Sequence, residues 1–132
     1  MQLTKTSTYA IGAILHIAAN EKKGFVQGVD LDKHCGMPPS YLAKALQQLV
    51  RLRILTSEQG RNGGYTLARP PGQITLLEIV EAFEGPVNAD LVLRHKIGLP
   101  QRMQKKFHAA RKDVLDKARA QLGKVTIKQL MV

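Results

Sequence analysis

In the stretch from Pro39 to Arg53, PSYLAKALQQLVRLR, the polar residues Ser40, Lys44, Gln47 and Arg51 recur every three or four positions. That spacing lines them along one face of a helix, while Leu42, Ala45, Leu46, Leu49 and Val50 occupy the opposite side. A hydroxyl, an ammonium, an amide and a guanidinium on one face are the groups that engage phosphate oxygens and base-pair edges. One side of the helix packs and the other reads.

Catalysis finds no comparable pattern. The sequence offers no convergent acid, base and nucleophile, so no catalytic residue is assigned and the chain is not read as an enzyme. His34 and Cys35 are adjacent, but neighbours on a helix project about 100° apart and do not share a site. Cys35 reads first as a small packed hydrophobe beside a turn, with redox chemistry at its thiol as the other reading. His16 reads as a packing or surface histidine. Asp90, His95 and His108 include metal-ligand types, but their spacing matches no strong signature, so neither metal nor cofactor is expected. A single cysteine excludes an intrachain disulfide and fits a reducing cytoplasm.

The reading face needs a frame. Downstream, Ile54 to Ser57 and Tyr65 to Leu67 are β-prone, and Glu58-Gln59-Gly60-Arg61-Asn62-Gly63-Gly64 between them supplies the turn chemistry of a hairpin. Upstream, Val29 to Cys35 reads as a short helix, with Gly36 as a break and Pro39 as a helix starter. Helix, turn, helix and two-stranded wing together describe a winged helix-turn-helix, mainly α with a small β element. An αα-hairpin packed on a β-hairpin with no nucleic-acid role remains open, as does a basic protein–protein adaptor on the same scaffold.

A chain of 132 residues suits one structural domain, and its net charge of +10 suits a polyanionic partner. Aromatic residues make up 5% with no Trp, which disfavours base-stacking on single strands and leaves double-stranded DNA. The charge is uneven: residues 1 to 100 carry eleven Lys/Arg against eight Asp/Glu, and residues 101 to 132 carry nine against two. Most of that second excess reads as a solvated helix face. Apolar runs are too short to span a bilayer, and no membrane partner is expected. Lys5, Tyr9 to Leu15 and Ala18-Ala19-Asn20 superficially imitate a signal peptide. His16 interrupts that run, and Ala10, Ile11, Ile14, Ile17 and Ala18 keep helical spacing, so a first helix from about Thr4 to Asn20 is the better reading.

Lys5 and Thr6 in the first turn of that helix are types that hold phosphate, although ordinary capping by Thr4, Thr6 or Ser7 explains the same residues. Phe25 and Val26 offer a short third strand beside the wing. A fourth helix is marked by the capping box Thr75-Leu76-Leu77-Glu78, with Ile74 and Ile79 as staple and Gly85-Pro86 as stop. From Pro100 to about Leu122 a long helix aligns Met103, Phe107, Ala110, Val114, Ala118 and Leu122, with Gly123 as terminator. Its length of roughly 33 Å approaches the roughly 34 Å between half-sites of a two-fold operator. A homodimer through this stripe is the expectation. A second capping box, Thr126 to Gln129, opens a short closing helix. Residues 1–85 would then form the DNA-binding head, and 86–132 a connecting loop, dimerisation helix and closing helix.

These residues resemble the Rrf-two family of winged-helix bacterial transcriptional regulators, which includes iron–sulfur, nitric-oxide and cysteine-metabolism regulators. The resemblance rests on Leu3-Thr4, Tyr9-Ala10, Ser40-Tyr41-Leu42, the run from Gly63 to Pro71 and the run from Ile74 to Gly85. It implies a homodimeric DNA-binding regulator, usually a repressor, acting on a palindromic operator. Cluster-bearing members place three cysteines between the fourth and the long helix, and here 86–100 has none. Helix-one positions from which some relatives lend ligands are Thr8 and Gly12, neither a convincing ligand, so the resemblance implies a member without an iron–sulfur cluster.

The wing departs too: relatives often carry arginine where Gln59 stands, Glu58 adds a negative charge, and Ala43 is too short to reach a base. The expected interface is therefore Ser40, Tyr41, Lys44, Gln47, Gln48 and Arg51 on the reading helix, with Arg61 on the wing. Lys5 and Thr6 would contribute at helix one. Regulation would come from a small-molecule effector in the cleft between the fourth and long helices, or from chemistry at Cys35.

Overall fold

The computed structural model describes residues 4–87 and 98–131. Helix α1 (Lys5–Ala19) is the element around which α2 (Gly28–Cys35), α3 (Pro39–Arg51), α4 (Leu76–Glu84) and α6 (Ile127–Leu130) pack. Ala10, Ala13, Ile14 and Ile17 of α1 are fully buried, and Leu31, Leu42, Leu46, Leu49, Ile54, Ile74, Ile79 and Ile127 close over them. Each such Leu or Ile contributes about 1.5–3 kcal/mol of apolar transfer free energy.

Helix ends follow the local chemistry. Thr4 caps α1, its Oγ1 accepting from Ser7 N–H at 3.3 Å. α2 starts at Gly28, one residue earlier than the pattern suggests, and stops at Gly36 in the left-handed region (φ 65°). α3 opens on Pro39 with no side-chain cap. It closes on a Schellman turn: Arg53 N–H donates to Val50 O at 3.0 Å, and Ile54 N–H to Leu49 O at 2.9 Å. The residue forced into the left-handed region there is Arg53 (φ 60°), where glycine is the usual occupant.

Strands β1 (Leu55–Glu58) and β2 (Gly64–Leu67) pair antiparallel, Leu55 opposite Leu67 and Glu58 opposite Gly64. The third strand expected at Phe25 and Val26 shrinks to one bridge, in which Val26 and Tyr65 exchange two backbone hydrogen bonds of 2.8 Å. That approach explains Gly64, because a Cβ there would lie 2.3 Å from the Val26 carbonyl oxygen. A helix-turn-helix followed by this hairpin is a winged helix.

Both expected capping boxes form, Thr75 with Glu78 at α4 and Thr126 with Gln129 at α6. The two capping threonines also face each other in an antiparallel bridge, with Leu76 N–H donating to Val125 O and Ile127 N–H to Ile74 O, both at 2.9 Å. The end of the chain is thereby sewn onto the start of α4, and Ile127 joins the core. Helix α5 (Gln101–Lys124) spans about 36 Å. Gly123 does not terminate it: the helix runs on through Lys124 and ends where Val125 turns extended (φ −89°, ψ 121°). Among the described residues no helix is long and apolar enough to cross a membrane.

Candidate nucleic-acid interface

Helix α3 divides cleanly. Leu42, Ala45, Leu46 and Leu49 are buried, and Ser40, Lys44, Gln47 and Arg51 are exposed on the opposite side. Tyr41 is 62% exposed and stands beside Lys5 and Thr6, with which it lines a cleft of about 350 Å³ that also involves Tyr9, Met37 and Pro38. The structure thus brings the first turns of α1 and α3 together. Gln48 departs from the expected face: it is half-buried, and its Nε2 donates to Ala82 O at 3.3 Å, tying α3 to α4. At about 100° from Gln47 and about 40° beyond Lys44 it falls on the flank of the helix, and the backbone carbonyl there satisfies its amide.

Arg61 is exposed at the wing tip, and its carbonyl accepts from Gln27 Nε2 at 2.8 Å. No sequence pattern announces that contact, since Gln27 and Arg61 lie 34 residues apart. Arg69 is committed elsewhere. It pairs with Glu78 at 2.9 Å and donates to the carbonyls of Arg53 and Gln73, so it braces the exit of the wing against α4.

The first turn of α1 is partly occupied by the protein itself. Glu84 Oε1 accepts from Thr4 N–H at 2.6 Å and from the buried hydroxyl of Ser7 at 2.8 Å, and Thr8 Oγ1 donates to Thr4 O. Ser7 is therefore not available to a phosphate, whereas Lys5 and Thr6 stay exposed.

The expected stripe on α5 splits in two. Met103, Phe107 and Val114 are 57%, 47% and 64% exposed, and Ala110 is exposed with them. Ala118 and Leu122 are half-buried, as is Leu115, which the stripe omitted. α5 packs on α4, where the ion pair of Arg119 with Glu81 bridges the two helices. Below that bridge lies a cavity of about 390 Å³ lined by Leu52, Ile54, Leu77, Glu78, Glu81, Ala82 and Arg119.

Cys35 is half-buried; burial, reinforced by the Asp32 carboxylate, pushes its thiol up and disfavours the reactive thiolate. Beside it, His16 and His34 stack with ring centroids 4.7 Å apart, an interhelical contact that the sequence did not suggest. Thr8 and Gly12 line the same hollow. Asp90 and His95 lie outside the described residues, and among the described residues no three His, Cys, Asp or Glu side chains converge as metal ligands. An iron–sulfur cluster held by thiolates does not fit this donor set, because the whole sequence supplies one cysteine and a pair of chains supplies two.

The model of the Rrf2 family, described as iron-dependent transcriptional regulator, matches residues 3–132. BadM of Rhodopseudomonas palustris is 31% identical over 131 residues, covering 99% of this chain and 81% of BadM. The HTH-type transcriptional regulator IscR of Cronobacter sakazakii is 30% identical over 131 residues, covering 99% of this chain and 80% of IscR. In fold, CymR, the global cysteine regulator of B. subtilis, superposes with a TM-score of 0.76 at 19% identity, over 99% of this chain and 96% of CymR. With its winged helix, its solvent-facing polar helix and this family match over nearly every residue, the chain belongs to the Rrf2 family of DNA-binding transcriptional regulators.

Proposed function

We propose that the protein is a cytoplasmic, homodimeric repressor without enzymatic activity, which binds a palindromic operator in double-stranded DNA and carries no iron–sulfur cluster. The observation that carries this reading is the exposed polar face of α3, Ser40, Lys44, Gln47 and Arg51, set against a fully apolar inner face. That helix enters the major groove, and Arg61 reaches the adjacent minor groove or its backbone. Tyr41, Lys5 and Thr6, which line one cleft at the start of α3, contact a phosphate flanking the entry of that helix. Gln48 is left out of the reading set because its amide is spent on Ala82.

Two copies meet through Met103, Phe107, Ala110 and Val114, an apolar strip that one chain leaves in water. Ala118 and Leu122 extend the strip toward the head rather than lying at its centre. An effector of small-molecule size fits the cavity between Leu52, at the close of the reading helix, and Arg119 on α5. Occupying it would change the angle between head and dimer helix, which is how one ligand shifts two reading heads. Redox control through Cys35 is the weaker route, given its raised thiol.

The test is the affinity for a duplex selected from a random pool. Alanine at Lys44 and Gln47 should weaken binding by roughly tenfold or more, at about 1–3 kcal/mol per base contact. Unchanged affinity would remove α3 from the interface.

A further inference from the structure

We propose that Gln27 is a positioning residue for DNA recognition, holding the wing tip so that Arg61 is presented in a fixed place beside α3. The proposal rests on the reading that Arg61 touches DNA. Gln27 occupies the N-cap of α2, yet its side chain makes no capping hydrogen bond. It reaches across the fold instead and donates through Nε2 to the carbonyl of Arg61 at 2.8 Å.

Its neighbour Val26 is fixed by the two 2.8 Å bonds to Tyr65, and Gly64 abuts the Val26 carbonyl. Residues 26 and 27 therefore grip the hairpin twice, once on β2 one pair away from the turn through the backbone and once at the tip through the amide. The tip needs that second grip. Between Glu58 and Gly64 it closes on itself through Gly63 N–H to Gly60 O at 3.1 Å, and it carries three glycines including Gly64. A glycine-rich tip loses much conformational freedom when it docks, and a side chain that restrains it beforehand lowers that cost on binding. The restraint acts on the backbone of the very residue whose guanidinium is to be aimed.

The test is a double-mutant cycle on duplex affinity using Gln27→Asn and Arg61→Ala. Asparagine keeps the amide but falls about 1.5 Å short of the carbonyl, by one methylene. It is also the better N-cap, so the thermal midpoint should hold or rise while affinity falls about threefold, the scale of one neutral hydrogen bond. Stability and affinity moving apart is a result that a merely structural role for Gln27 does not give. In the Arg61→Ala background Gln27→Asn should cost nothing further. Equal loss in both backgrounds, or no loss in the first, overturns the proposal. If Arg61→Ala weakens binding and Gln27→Asn does not, the wing reading stands and the proposal alone falls; if Arg61→Ala is itself silent, both fall.

Discussion

The buried hydroxyl of Ser7 donates to Glu84 Oε1 at 2.8 Å, joining the first turn of α1 to the last turn of α4. The same oxygen takes the Thr4 N–H, so a protein carboxylate sits at the positive end of α1, where an external anion would otherwise be drawn. Half-burial of Glu84 opposes its ionisation, but the hydrogen bonds from Thr4 and Ser7 outweigh it and hold the carboxyl below its ordinary 4.5. A carboxyl lowered by folding stabilises the fold fully above its unfolded value and ceases to do so as pH falls through its folded value. In urea titrations, Glu84→Gln should therefore be less stable than wild type at pH 7, with the gap closing below about pH 4.5. Ser7→Ala should cost about 1 kcal/mol at neutral pH.

Arg53 tests the strain at the close of the reading helix. Its left-handed backbone (φ 60°) costs roughly 1–2 kcal/mol that glycine does not incur, partly offset by the greater freedom of glycine in the unfolded chain. Arg53→Gly should raise stability by about 0.5–1 kcal/mol, or roughly 2–5 °C in thermal midpoint. Arg53→Ala should leave it nearly unchanged.

The uncovered strip on α5 predicts the oligomeric state. Phe107→Asp together with Val114→Asp places two carboxylates in the proposed contact, and light scattering should then report a monomer of unchanged helicity. Duplex affinity should fall about a hundredfold or more as the second reading head is lost. Leu115→Asp should instead unfold the protein partially, because Leu115 is half-buried within one chain.

Lys44 and Arg61 should separate in their salt response. If each neutralises one phosphate, alanine at either lowers the slope of log affinity against log salt by about 1. A guanidinium that also reads a narrow minor groove should lose preference for flanking A·T pairs when Arg61 is removed, whereas Lys44→Ala should not alter those positions.

Local signals made the skeleton legible. The two Thr-x-x-Glu/Gln boxes, Gly36 and the apolar positions of α1 and α3 each act within one or two helical turns, and all of them form. What escaped depends on distant partners. Gln48 shares the polarity of Gln47 but lies about 100° round the helix, and its partner, the Ala82 carbonyl 34 residues away, is one that spacing does not report. Helix periodicity merged Met103 to Leu122 into one stripe, although α4 covers the end that holds Ala118 and Leu122 and leaves the end from Met103 to Val114 bare. Gly123 looked like a stop, but glycine permits a left-handed turn without demanding one, and α5 runs on through Lys124 to an extended Val125. The bracing of Arg61 by Gln27 and the stacking of His16 on His34 became visible only with the elements packed.

Selection of bound duplexes from a fully random pool reads out whether two recognition helices bind DNA together. Two α3 helices held by one dimer should enrich a two-fold symmetric site whose half-sites are centred about 10 base pairs apart. A pool that shows no enriched sequence, or that yields a single asymmetric half-site bound by one chain, rules out a paired, sequence-reading α3.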